Sequence, residues 1–84
     1  MKFQVTWLAS AERELTELWL AARDRIRIID AVEGIDADLR ANPEQVGESR
    51  EENHRIVFRQ PLGVAFRVFS DDARVVVTRI WRYQ

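Results

Sequence analysis

From Lys2 to Leu8 apolar and polar residues alternate. Phe3, Val5 and Trp7 fall on one side and Lys2, Gln4 and Thr6 on the other, the period of a half-buried strand. The period then lengthens. Ala11, Leu15, Leu18, Trp19 and Ala22 recur at helical spacing. Ser10 is predicted to cap this helix, with Glu12 and Glu14 in the first turn, where the helix dipole favours acids. A second helical stripe of Ile28, Ile29, Val32, Ile35 and Leu39 follows, with Asp24 as its predicted cap and a bend between the two helices. Asn42-Pro43 ends it, because a residue before proline avoids the α region. Trp7 and Trp19 are both predicted to lie in the core.

Residues 43–53 read as a polar, acidic loop. Three strand patterns come next. The first runs from His54 to Gln60 and turns through Pro61-Leu62-Gly63. The second runs from Val64 to Phe69, and Asp71-Asp72 make a tight turn. The third runs from Arg74 to Arg82, with Val75, Val76 and Val77 at its centre. The order predicts one α+β domain over residues 1–84. It has an N-terminal strand, a helical hairpin and a three-stranded antiparallel meander. The helices cover one face of the sheet and leave the other open.

Composition narrows the chemistry. The 84 residues include no cysteine and one histidine, which excludes disulfides and thiolate metal sites and predicts no metal centre. No glycine-rich phosphate loop and no Ser/His/Asp spacing is present, and no cofactor is predicted. No apolar run is long enough to span a membrane, so no membrane partner is predicted and a cytoplasmic location is expected. The formal net charge of -1 is not that of a strongly basic nucleic-acid binder. Charge is unevenly spread, however. Asp30, Glu33, Asp36, Asp38, Glu44, Glu48, Glu51 and Glu52 precede a stretch, 53–70, that holds Arg55, Arg59 and Arg67 and no acid.

Alternation places Arg55, Val57 and Arg59 on one side of their strand and Ala65, Arg67 and Phe69 together on the next. A two-residue hairpin at Asp71-Asp72 sets Arg67 opposite Val76 and Ala65 opposite Thr78, with Arg82 on the same face. A one-residue slip brings Arg79 there instead. Either register is expected to gather three or four arginines on one side of the sheet, and arginine's planar fork of donors suits phosphate or carboxylate. The same side chains also read as solubility and edge-protecting residues, or as ion-pair partners for Glu48, Glu51 and Glu52. His54 reads either as a proton-transfer group or as a surface residue at a strand start. Trp81 reads either as packing at the sheet end or as an interface anchor.

The stretches Gly47-Glu48-Ser49-Arg50, His54-Arg55-Ile56-Val57-Phe58, Pro61-Leu62-Gly63-Val64-Ala65-Phe66-Arg67-Val68 and Val75-Val76-Val77-Thr78-Arg79-Ile80-Trp81-Arg82-Tyr83 stand in the layout just described. Together they resemble the RelE/ParE superfamily of bacterial, plasmid-stabilising toxins over essentially the whole chain. The resemblance implies a growth-arresting toxin neutralised by a cognate antitoxin protein that wraps its helices or sheet. RelE-like members cut messenger RNA on the ribosome, and ParE-like members inhibit DNA gyrase. For RNA cleavage the resemblance points to Arg67, Arg82, Tyr83, His54 and Glu48 as catalytic residues. Glu48 lies near a loop carboxylate used by family nucleases, and Arg82-Tyr83 near their C-terminal pair. Arg55, Arg59, Arg79 and Trp81 are the expected target- or phosphate-binding residues. The nucleases usually carry a Tyr-Arg pair at the start of the penultimate strand, where this chain has Leu62-Gly63-Val64. With the slightly acidic total charge, that departure favours the ParE-like, gyrase-binding alternative or a catalytically degenerate binding module on the same fold.

Overall fold

A computed structural model describes residues 2–84. Strand β1 (Gln4–Trp7) leads into helices α1 (Ala9–Ala21) and α2 (Arg25–Ala41). After a 3₁₀ turn at Pro43–Gln45 come β2 (Glu48–Ser49), β3 (His54–Arg59), β4 (Leu62–Phe69) and β5 (Arg74–Arg82). The meander β3–β4–β5 is extended at both sides into a five-stranded sheet of order β1-β5-β4-β3-β2. Strand β1 joins β5 in parallel, which the intervening helical hairpin permits. The short β2 forms within the predicted loop because it can pair with the free edge of β3.

Several local expectations shift by a residue or two. Helix α1 begins at Ala9, without a side-chain cap from Ser10, and Asp24 makes no side-chain cap for α2. The β3–β4 connection tightens, so Leu62 and Gly63 are strand residues rather than turn residues. The β4–β5 connection is a 3₁₀ turn at Ser70–Asp72 closed by Ala73 in the left-handed region, φ 50°. It still sets Arg67 opposite Val76, as a two-residue hairpin would.

The core lies between the helices and one face of the sheet. Ala11, Ile28, Ala31, Ile35 and Leu39 meet Leu62, Val64, Phe66, Val68, Val75, Val77 and Ile80. Trp7 packs against this core, whereas Trp19 is 37% exposed, with the Arg25 guanidinium 4.2 Å from its ring centroid. Trp19 is therefore not a core residue. Its place in the helical period puts it at the border of the apolar stripe, where an arginine covers it.

Strand β1 stops at the pair Trp7–Val77, leaving the upper part of β5 without a strand neighbour on that side. Helix α1 covers this edge through Glu14, whose Oε1 accepts the Ile80 amide at 3.1 Å. An otherwise unpaired edge donor is satisfied by a side chain from the helix.

Candidate functional site

The cross-strand register divides the arginines between the two faces. Arg55 stands in one row with Phe66 and Val77, and Arg59 and Arg82 flank Leu62, so all three belong to the helix-covered face. The expected gathering on the open face is corrected accordingly, because each of these rows contains a core residue that fixes its direction. Arg55 donates Nε to the Val46 carbonyl at 2.9 Å and its terminal nitrogen to the Gly47 carbonyl at 3.0 Å, which ties down the chain before β2. Arg59 crosses α2 at Gly34, where any Cβ would collide with its guanidinium, and reaches Asp38 at 3.4 Å. Arg82 grips both carboxylate oxygens of Asp24 at 2.8 and 2.7 Å. That grip is the main reason the Asp24 carboxyl is lowered from 3.8 to about 2. It also raises the affinity of Arg82 for its proton. These three arginines fasten the sheet to its surroundings.

A bulge decides the fate of Arg79. Pairing runs from Ala65–Arg79 to Phe66–Val77, so Thr78 is the extra residue, and its hydroxyl donates to the Ala65 carbonyl at 3.2 Å. Ala65 therefore faces Arg79 rather than Thr78. The bulge reconciles Val75 and Val77 with Ile80, all buried on the helix face despite odd-to-even numbering. Arg79 then emerges on the open side of the sheet and lies 3.5 Å from Glu14.

The open face is thus built in rows. His54, Arg67, Val76 and Thr6 form one, Glu48, Ile56, Ala65 and Arg79 a second, Phe58, Gly63 and Trp81 a third, and Phe69, Arg74 and Gln4 a fourth. Gly63 leaves room for the Trp81 indole to lie across the sheet, since a Cβ there would sit 2.6 Å from its Cε2. Phe58 meets Trp81 edge-on at 6.0 Å between centroids and Tyr83 at 5.2 Å. Phe58 is 53% exposed and Tyr83 40%. Next to the His54–Arg67 row lies a shallow depression of about 360 Å³ lined by Leu8, Phe69, Val76 and Thr78. Arg67 donates Nε to His54 Nε2 at 3.0 Å there.

Of the five catalytic candidates only His54 and Arg67 meet. Glu48 is two strands and one row from Arg67, roughly 12 Å between Cα atoms, and it pairs with Arg50 at 3.0 Å. Tyr83 lies about 20 Å along β5 from the Arg67 row. Arg82 points to the opposite face. Sequence reasoning placed Phe69 on one side with Arg67, as the structure does, but missed Arg74 and Phe58 as members of the open face. Strand parity carried the information for Phe58, which shares its side of β3 with Ile56. The carboxylates that engage Arg79 and Arg82 come from α1 and from the turn before α2, and no local pattern announces them.

Among the described residues no helix is long and apolar enough to cross a membrane, and no group of three or more His, Asp or Glu is placed to hold a metal ion. No family profile and no curated protein sequence matches the chain. Solved structures do match its fold. A chain of the RelBE2 toxin–antitoxin complex from Mycobacterium tuberculosis superposes with a TM-score of 0.79 at 21% identity, over 98% of this chain and 92% of that one. A chain of the chromosomal ParDE system from P. aeruginosa gives 0.69 at 18% identity, over 99% and 98%. The isolated E. coli RelE toxin gives 0.69 at 10% identity, over 98% and 85%. The order of elements, the helical hairpin on one side and the mixed sheet with an open face are those of the RelE/ParE toxin fold.

Proposed function

We propose that this protein is the toxin of a type II toxin–antitoxin pair and arrests growth by binding its target through the open sheet face. The target we assign is DNA gyrase, as for ParE-like toxins. The observation that carries this choice is the scatter of the catalytic candidates. RNA cleavage at a 2′-hydroxyl needs a base, an acid and positive charge around one phosphate. Glu48, Tyr83 and Arg82 stand apart from His54 and Arg67, and Arg55, Arg59 and Arg82 already serve the fold. What the open face offers is a binding surface, with exposed aromatic rings at one end and Arg67, Arg74 and Arg79 across it.

The antitoxin is assigned to the helical side. Leu20 and Ile26 are 61% and 76% exposed at the tip of the hairpin, beside Ile29 and Trp19. An apolar groove of about 300 Å³ runs from there between α1 and α2 over Leu15, Ile28 and Val32. An amphipathic antitoxin segment that fills this groove would leave the sheet face free or cover it by wrapping round.

Inducible expression in cells, with and without the adjacent open reading frame, tests the assignment by growth, transcript integrity and plasmid supercoiling. Growth arrest with altered supercoiling and intact transcripts is expected, relieved by the neighbour. Absence of any growth defect refutes it. A second reading, ribosome-dependent messenger RNA cleavage, is favoured by the single contact between His54 and Arg67. Cleaved transcripts that disappear on Arg67→Ala would select it.

A further inference from the structure

The groove between α1 and α2 extends beyond its apolar part. Two depressions share Leu15, Thr16, Val32 and Glu33 and so form one trough. A part of about 300 Å³ continues to Trp19, Ile28 and Ile29, and a wider part of about 600 Å³ to Trp7, Glu12 and Asp36. Between Glu12 and Trp19 the trough follows two turns of α1, about 11 Å. Leu15 and Val32, in the shared middle, pack against the core.

Charge is segregated along this trough. Its Trp7 end has carboxylates on both walls, Glu12 from α1 and Glu33 with Asp36 from α2, and no basic residue lines it. Asp36 is engaged by Arg40 at 2.8 Å. Glu12 and Glu33 are exposed and form no ion pair among the described residues. The hairpin tip at the other end is basic. Arg25 lies over Trp19 and donates to the Trp19 and Leu20 carbonyls at 2.9 and 3.2 Å. Neither Arg25 nor the exposed Arg23 forms an ion pair among the described residues. Asp24, the acid between them, is held by Arg82 and Arg27. A segment that covers the trough must therefore meet negative charge at one end and positive charge at the other.

We propose that the trough takes an amphipathic helix with segregated charge, basic residues at the Trp7 end and acidic residues at the hairpin tip, and that this order fixes the direction of docking. A helix is most stable with acids in its first turn and bases in its last. Such a segment therefore lies with its N-terminus at the tip and runs parallel to α2, which starts at Arg25 and passes Asp36. The apolar stripe supplies most of the affinity, and the charged ends supply selectivity and direction. The inference rests on the reading that the antitoxin covers the helical side, and it names the chemistry and orientation of the segment that does so.

The test uses the full chain and a synthetic helical peptide of about 18 residues, roughly 27 Å long. The peptide carries leucines at helical spacing, flanked by glutamates in its first half and lysines in its second. A control peptide keeps the leucines and has glutamates throughout. By fluorescence anisotropy the first peptide is expected to bind about tenfold more tightly than the control at about 0.05 M salt, and about twofold at about 0.5 M. In NMR, a nitroxide on its lysine end should broaden the amides of Glu12 and Asp36, and one on its glutamate end those of Leu20 and Ile26. Glu12→Lys/Glu33→Lys should weaken binding about tenfold. Glu44→Lys/Glu51→Lys, with the same net charge but outside the trough, should change it by less than about twofold. Glu12 also stands in the first turn of α1, so Glu33→Lys alone, expected to cost about threefold, keeps the test independent of lost folding. Ile29→Ser, at a position 43% exposed, should keep the fold and weaken both peptides. Failure of both peptides to bind, equal binding of the two, equal loss in both double variants, or nitroxide contacts in the opposite order overturns the proposal. So does a dimer of the chain in sedimentation that Ile29→Ser dissolves, because a second copy would then be the occupant. None of these readouts depends on toxicity, so failure of the trough and failure of the toxin assignment are separately visible.

Discussion

Replacing Glu14 separates two roles of one side chain. Its Oε1 accepts the Ile80 amide at 3.1 Å, and its Oε2 lies 3.5 Å from the Arg79 guanidinium. Because β1 ends at the Trp7–Val77 pair, it offers Ile80 no carbonyl. Glu14→Ala strands that amide in a residue only 2% exposed, and an unsatisfied buried donor costs about 1–3 kcal/mol. The ion pair adds little, roughly 0.5 kcal/mol, because Arg79 is 67% exposed. Alanine's better helix propensity returns up to about 0.4 kcal/mol. The net expectation is a loss of about 1–3 kcal/mol, or roughly 5–25 °C in Tm for a domain of this size. Glu14→Gln keeps an oxygen for the amide and gives up the charge, so it should cost about 0.5 kcal/mol. Urea titrations of both variants, of Arg79→Ala and of the Glu14→Ala/Arg79→Ala double mutant measure each part. Coupling between Glu14 and Arg79 should stay under about 0.5 kcal/mol. If glutamine is as harmful as alanine, or Arg79→Ala as harmful as Glu14→Ala, charge holds this edge and the capping argument is wrong.

Three further outcomes are expected. The depressed Asp24 carboxyl stabilises the fold above its unfolded value near 3.8, and this contribution is lost as pH falls toward about 2. Asp24→Asn should therefore be less stable than wild type at pH 7, with the gap closing by pH 2 in denaturant titrations; a constant gap contradicts the assignment. Gly63→Val should displace the Trp81 indole, redden tryptophan emission and cost about 1–3 kcal/mol, whereas unchanged emission would mean the ring does not lie over the glycine. Leu20→Glu with Ile26→Glu should alter stability by less than about 0.5 kcal/mol per site and abolish protection by the antitoxin in a growth assay. Continued neutralisation would place the antitoxin elsewhere.

The elements were legible in the chain because period carries them. Phe3, Val5 and Trp7 announce β1, and the stripe Ile28, Ile35 and Leu39 announces the buried side of α2. Where β1 would pair was not legible, since its alternation is the same beside any strand. The short β2 was hidden because Glu48 and Ser49 have no strand propensity of their own and pair only when β3 presents an edge. The site was less legible than the fold. Whether Arg55 and Arg59 faced solvent or helices turned on register, and register is set by Phe66 and Leu62 across the sheet. The bulge at Thr78 moved Arg79 by one position through a backbone irregularity that leaves no trace in residue types. Asp24 and Arg82 find each other only after the helical hairpin has folded back over the sheet.

The parallel pairing of β1 with β5 also constrains how the molecule can form. Gln4 aligns with Arg74 and Trp7 with Val77, so the first strand waits for the last before it has a partner. The hairpins of β3, β4 and β5 close short loops and need no distant segment. Folding should start in that meander, with β1 docking late. In hydrogen exchange, the β1 amides bonded across to β5 should open at lower free energy than those between β4 and β5. During synthesis the apolar side of β1, with Phe3, Val5 and Trp7, stays uncovered until Arg74–Arg82 has emerged. The complete five-stranded sheet, with its open face, would then form only once β5 has emerged.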